Sequence, residues 1–373
     1  MVQGMDGRRV LVLVNGKPLV GRLSGVQDLS RIPLSAVDRV EVVRGPQAAL
    51  YGSEALGGVV NILTRRGGER PLEVSVGMVA GSAGRLEGQV ETRGRVAGVG
   101  YLAGAGRRQD DLVPGLQSPD GGTVRHDLRL RLEGEGPVRW EAGGLLLSDE
   151  LDWRTGQLAN FSRGTQWTGR LRGAGELGEG HWVAGASMAG FRQRSGRASG
   201  SVDPGTVRGN VQKEERWDAE LVAAHPLPFA RMELEAGVEL HGTRITADRV
   251  EGGVQDETGV EVFAQGSLAL GRVTLIPAIR RSARTGADAH WIPELAARVP
   301  VSSWGSLVLR AAGGYRVADL KERSLTFLNV GPGFGYQVRG NPGLQPEHST
   351  HLGADFQWRR DDLSWAVPPG PPA

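Results

Sequence analysis

Residues Ile32–Arg66 read IPLSAVDRVEVVRGPQAALYGSEALGGVVNILTRR, and this stretch decides the fold. Ile32-Pro33 opens it as a turn or a helix start, because proline fixes φ and lacks an N–H. Asp38–Val43 (DRVEVV) is short and β-branched, so it predicts a strand. Gly45-Pro46 breaks that strand. Pro46 suits the first position of a short helix running to Tyr51, and Gly52 falls where a left-handed C-terminal cap is needed. Gly57-Gly58 makes a second tight passage before Val59–Thr64 (VVNILT), another strand. The stretch therefore codes strand, tight turn, one helical turn, glycine turn, strand.

On the N-terminal side, Arg9–Val14 (RVLVLV) is a continuous apolar strand. Asn15-Gly16 follows as a strong hairpin turn before Lys17–Val20. Met1–Gly7 shows neither the basic start nor the apolar core of an export signal. On the C-terminal side, Gly67-Gly68 ends the pattern and strict alternation takes over. Leu128, Leu130 and Leu132 share one parity against Arg129, Arg131 and Glu133. Met232, Leu234, Ala236, Val238 and Leu240 oppose Arg231, Glu233, Glu235 and Glu239. The theme recurs in Val260–Leu270 and in Leu352–Trp358. Each run is about ten residues of period two, the length of a tilted strand crossing a bilayer, and roughly fourteen such strands follow Pro71. A soluble β-sandwich also alternates, but its polar parity is not so heavily charged. Trp153, Trp167, Trp182, Trp217, Trp291 and Trp304 are expected near strand ends, where a membrane interface would hold them.

Composition agrees with many short strands and turns. Glycine accounts for 58 of 373 residues, about double ordinary usage, without a collagen period. There are no cysteines, which excludes disulfides and thiolate metal sites. The formal net charge is only +2, with both signs interspersed, so the basic face that nucleic acid requires is missing. No apolar run approaches the roughly 18 residues of a membrane-crossing helix, which says nothing against barrel strands. The histidines are dispersed and form no catalytic grouping. His348 and His351 are three apart beside Glu347, but residues three apart on a strand face opposite sides, so no metal site is assigned. Asp110, Asp111 and Asp120 share a glycine-rich loop that is either a weak calcium candidate or simply solvated.

Val40-Glu41-Val42-Val43-Arg44-Gly45-Pro46, then Leu50-Tyr51-Gly52, then Ala55-x-Gly57-Gly58-Val59-Val60-Asn61-Ile62-x-Thr64 resembles the plug domain of TonB-dependent outer-membrane receptors. A second pair of motifs resembles the family's barrel: Arg316-Val317-Ala318-Asp319-Leu320-Lys321-Glu322, then Gly340-Asn341-Pro342-Gly343-Leu344-Gln345-Pro346-Glu347. The resemblance implies an α/β plug, residues 1–67, followed by an all-β antiparallel transmembrane barrel, residues 68–366, and a proline-rich tail, residues 367–373. Asn15 stands where the family usually has an acidic residue. The family's first plug strands, its TonB-contacting segment and its terminal aromatic residue are not found. Against about 22 strands in such transporters, the chain is expected to be cut at both ends.

The function implied is energy-coupled uptake of a scarce ligand across the outer membrane of a Gram-negative-type bacterium, with no enzymatic turnover. A ferric siderophore or cobalamin would bind outer loops and the plug apex. A TonB-type inner-membrane complex would then displace the plug. Haem receptors of the family carry a histidine between the two barrel motifs, whereas here Val317–Gly340 holds Phe334 and Tyr336 but no histidine, so these two are the weak ligand-binding candidates. Within a charged lumen Arg44 would pair with barrel carboxylates or cap local carbonyls, and Glu41 would serve as structural charge. A non-functional receptor fragment, an adhesive β-protein and a passive porin are the rival readings.

Overall fold

The computed structural model describes residues 9–21, 27–45, 48–53, 55–111, 121–199, 209–228, 231–331, 334–360 and 363–367. Pro46 and Asp120 lie outside these residues, as does nearly all of the tail. The side chains of Arg44 and Phe334 lie outside the description as well.

The plug is a four-stranded sheet of order β2-β1-β4-β3, built from β1 (Val10–Val14), β2 (Lys17–Pro18), β3 (Val37–Arg44) and β4 (Gly58–Thr64), with the one-turn helix α1 (Ala48–Tyr51) between β3 and β4. Strand β1 is buried along its whole length, which is why it reads as an uninterrupted apolar run. It pairs in parallel with β4, and β3 pairs antiparallel with β4. Asn15 and Gly16 both take positive φ, as a hairpin turn matched to strand twist demands. Gly45 and Gly52 are left-handed at φ +82 and +78, so α1 is punctuated where its glycines indicated.

The second body is one antiparallel sheet of fifteen strands. In chain order these are β5 (Glu73–Ala80), β6 (Leu86–Val96), β7 (Val99–Asp110), β8 (Gly122–Gly134), β9 (Val138–Thr155), β10 (Leu158–Leu177), β11 (Gly180–Ser199), β12 (Asn210–Leu227), β13 (Met232–Ala247), β14 (Val254–Leu270), β15 (Val273–Arg284), β16 (Ala287–Ser302) and β17 (Gly305–Arg316). The helix α2 (Leu320–Ser324) and a separate hairpin, β18 (Thr326–Gly331) with β19 (Phe334–Arg339), form the connection after β17. The sheet then resumes with β20 (Glu347–Arg360) beside β17, followed by β21 (Leu363–Val367). β5 and β21 are its two edges.

The alternation resolves as expected. Leu128, Leu130 and Leu132 face outward and are exposed, whereas Arg129 and Arg131 between them are buried against the plug side. The strands are longer than a bilayer requires: β10 and β11 each run twenty residues. This changes the place of the tryptophans. Trp140, Trp182, Trp304 and Trp358 lie toward the short-turn end, while Trp167, Trp217 and Trp291 sit ten or eleven residues from the short-turn ends of their own strands. Ten residues at about 3.3 Å each, tilted by about 40–45°, span about 25 Å. The two tryptophan levels therefore bracket an apolar band, and the strands overrun it at the long-loop end.

Candidate functional site

The plug meets the sheet wall mainly through charges and backbone carbonyls. At the β13–β15 wall, the Arg280 side chain is 0 % exposed. Its Nε donates to the carbonyl oxygen of Ala49 in α1 at 3.0 Å. Its Nη1 donates to Glu239 and Glu261 at 2.8 and 2.7 Å. Arg284 donates to the other oxygen of Glu261 at 2.9 Å, and the Phe263 ring lies 4.7 Å beneath the Arg280 guanidinium. Alternation places all of these on the inner face, since 239, 261, 263, 280 and 284 share the inward parity of their strands.

Gly52 closes against this cluster. A Cβ at Gly52 would stand 2.7 Å from Glu261 Oε2, so the position needs glycine for its left-handed φ and for the close approach. Gly45 approaches the His351 ring in the same way, at 3.3 Å. The apolar part of the junction is small: Ala49 packs with Ala278, Ile292, Tyr315 and Val317. Burial, with a smaller contribution from Glu41, pushes the Tyr51 phenol above its usual range, so it remains a protonated donor at neutral pH.

On the opposite wall Val20 packs with Ala189 and Phe191 in a second small apolar cluster, and the polar contacts are dispersed around it. Arg31 meets Asp149 at 3.2 Å. Arg125 donates to the Ser30 carbonyl at 3.0 Å and Arg129 to the Ser35 hydroxyl at 3.2 Å. Lys17 reaches Glu220 at 2.6 Å.

The late barrel motifs converge on α2. Asp319 caps the helix, accepting from the Glu322 N–H at 2.8 Å, while Glu322 accepts from the Asp319 N–H at 2.9 Å, a reciprocal capping box. Arg316, 3 % exposed, donates to Glu322 at 2.6 Å and to Glu347 at 2.9 Å. Glu347 also accepts from plug residue Arg9 at 2.9 Å. Gly340 lies against the backbone of Arg323 and Ser324, where a Cβ would stand 2.7 Å away. Asn341 donates its N–H to the Glu322 carbonyl at 3.1 Å, and its side chain accepts from the Gly343 N–H at 2.9 Å. Leu344 stays exposed, with Pro342 also exposed and Pro346 half-buried, so these three shape the turn rather than the network.

The remaining sequence candidates separate. Glu41 is exposed and pairs with Arg39 at 3.0 Å within the plug, and among the described residues it makes no bridge to the wall. Asn61 accepts from the Gly16 N–H at 2.9 Å and thereby braces the Asn15-Gly16 turn. Gly57 donates its N–H to the Arg9 carbonyl at 2.7 Å, and Gly58 starts β4 at positive φ. Tyr336, 52 % exposed, is on the outer hairpin, and Arg249 stacks on the Phe327 ring there at 4.7 Å. His348 stacks near His290 and Tyr315, while His351 turns to Gly45. Asp110 is engaged by Arg108 at 2.7 Å.

Arg280, Glu261, Glu239, Arg284 and Arg9 belong to no motif, so spacing along the chain does not mark them as site residues. The Asp319-x-x-Glu322 spacing was a legible capping-box signal.

Comparison with known proteins matches this geometry. Residues 1–59 match the family described as TonB-dependent Receptor Plug Domain, and residues 83–367 match TonB dependent receptor-like, beta-barrel. The chain is similar to the Vitamin B12 transporter BtuB of Photobacterium profundum, 42 % identical over 98 residues, which is 26 % of this chain and 15 % of that protein. Its fold is similar to the siderophore receptor PirA of Pseudomonas aeruginosa, with TM-score 0.78 and 20 % identity over 98 % of this chain and 66 % of that one. It is also similar to the ferric enterobactin receptor PfeA of the same organism, with TM-score 0.76 and 18 % identity over 97 % and 63 %. The chain thus spans less than two thirds of the length of these receptors. Barrels of this kind reside in the outer membrane of Gram-negative bacteria, and the family consists of transport receptors rather than enzymes. A charged, plug-filled wall with an apolar outer face, together with both profiles, establishes that the chain belongs to the TonB-dependent receptor family.

Proposed function

We propose that this chain supplies the plug and a large part of the wall of an energy-coupled importer for a ferric siderophore or cobalamin. The observation that carries this reading is the wholly buried Arg280 joining the plug carbonyl of Ala49 to Glu239 and Glu261. A plug held by ion pairs and carbonyls, with little apolar contact, can slide or be drawn aside without unmaking a hydrophobic core. The plug signature residues Gly45, Tyr51 and Gly52 then belong to the seat of the plug, and Arg316, Gly340, Asn341 and Glu347 to the base of the outer segment. Pulling would come from a TonB-type inner-membrane complex. No resident cofactor enters this reading, because the metal arrives as the ligand's own chelate.

Two similarities support the ligand class: the local match to a vitamin B12 transporter and the fold shared with siderophore receptors. The absence of histidine between Val317 and Gly340 argues against haem, since neutral imidazole is a favoured axial ligand. Phe327, Phe334 and Tyr336 on the outer hairpin suit a bulky, partly apolar chelate. The test is growth of receptor-deficient cells that carry the receptor with this sequence, offered ferric siderophores, cobalamin or haem in turn. Uptake of a siderophore or cobalamin is expected. Growth on haem alone, lost in Tyr336→Ala, would overturn the assignment.

A further inference from the structure

The outward face just above the upper tryptophan level carries a different signal. On β10, β11 and β12 the outward parity is marked by the exposed apolar residues Trp167 and Leu171, Met188, and Trp217 and Leu221. Following that parity toward the long-loop end, the face turns cationic within two rungs. Thr165, Arg192 and Lys213 form the first rung above Trp167, and Arg163, Arg194 and Val211 form the second. Arg192 lies directly opposite Lys213, and Arg163 directly opposite Arg194.

Like charges in opposed cross-strand positions are destabilising. The face does not relieve that repulsion evenly. Arg163 is held by Asp152 at 2.8 Å and lies 3.6 Å from Glu150. At a similar height Arg244 is matched by Asp256 at 2.6 Å. Arg192 and Lys213 are exposed, and among the described residues neither makes an ion pair or a side-chain hydrogen bond. Glu215, one rung below, is diagonal to Arg192 rather than opposite it. Beside them, the Phe161 ring packs against Gly196, and the Arg194 and Arg163 guanidinium groups stand 5.5 and 6.0 Å from its ring centroid. An aromatic plate of this kind fixes guanidinium groups in place before any anion arrives.

The height of the patch defines the occupant. One and two rungs above the tryptophan level correspond to about 5–10 Å along the membrane normal, which is the headgroup layer. The patch faces away from the lumen, so a transported ligand does not pass it. We infer that Arg192, Lys213 and Arg194 form a seat for the phosphate groups of an outer-leaflet lipid headgroup. The phosphates would bridge the opposed cations and replace cross-strand repulsion with charge-assisted hydrogen bonds.

The test uses receptor with this sequence, extracted from outer membranes in a non-ionic detergent. It is titrated with a fluorescent bisphosphorylated glycolipid, with its dephosphorylated counterpart, and with inorganic phosphate as competitor. With about 1 kcal/mol per cation near a lipid surface, the Arg192→Gln/Lys213→Gln double variant is expected to bind the phosphorylated probe roughly 10- to 30-fold more weakly. Its weak binding of the dephosphorylated probe should not change. Arg244→Gln, whose charge is already matched, should shift binding less than about twofold. Since all three side chains are exposed, recovery in the outer-membrane fraction reports that each variant has folded. Unchanged binding by the double variant would overturn the seat. Displacement of the probe by inorganic phosphate at equal concentration would overturn the lipid assignment.

Discussion

The plug sheet and the wall sheet obey one alternation rule with opposite sign. In the plug, what is buried is apolar: Leu11–Val14 pack with Ala55, Val59 and Ile62. In the wall, what is buried is Arg129, Arg131, Glu261 and Arg280, while Leu128, Leu130 and Leu132 are exposed. The difference teaches that burial and polarity are coupled through the surrounding solvent. Lipid takes the place of water outside, so apolar side chains are stable there. Charges turn inward, where Arg129, Arg131 and Arg280 pair with carboxylates on their own or neighbouring strands. Under the proposed function the plug has to separate from its wall, and a polar junction suits that movement.

Substitutions test this contrast, and the largest effect is expected at the junction. Arg280→Met leaves half-buried Glu239 without its cation and buried Glu261 with only Arg284, which should cost about 3–5 kcal/mol. Urea titration of the purified receptor should show an early loss of plug protection against protease, and a wild-type profile would refute the latch. Within the plug, Leu13→Ala empties a site that is 2 % exposed and should cost about 2–5 kcal/mol. Hydrogen exchange should rise in β1 and β4 while the wall strands keep their protection. Equal loosening of both sheets would mean that plug and wall fold as one unit.

The mirror experiment places charge on the lipid face. Leu130→Arg at the middle of β8 should cost about 2–4 kcal/mol, lowering recovery in the outer membrane and sharpening the loss of heat-resistant mobility on gels. Tolerance there would place β8 outside the bilayer. A smaller effect, about 1–3 kcal/mol, is expected for Gly52→Ala, which combines a strained φ with a clash at Glu261. Its signature is altered plug protection with unchanged wall protection. The smallest is Asp319→Ala, about 1 kcal/mol from the lost cap, read as faster exchange confined to α2.

Much of this was legible in the residues because local rules govern the elements. The glycines at 45 and 52, the Asn15-Gly16 turn and the strands on either side of α1 follow from φ preferences and β-branching. The lipid-facing parity of β8 follows from period two. Strand length was less legible, since the outer extensions of β10–β12 alternate just as the membrane-crossing portions do, and Trp167 therefore looked like a terminal residue. The partners of Glu41 could not be read either: a carboxylate two residues from Arg39 and one facing a distant wall look identical in one dimension.

The sequence by itself determined the plug motif, the alternation that makes a wall with an apolar exterior, and the family that both imply, because these depend on residues a few positions apart. Only the tertiary structure decided that Arg280 seats the helix at Ala49, that Arg9 and Arg316 share Glu347, and that Arg192 opposes Lys213. These pairings join residues brought together by sheet register and by the docking of one sheet inside another. A buried charge takes whichever partner the folded backbone brings within about 3 Å, and no spacing along the chain encodes that distance.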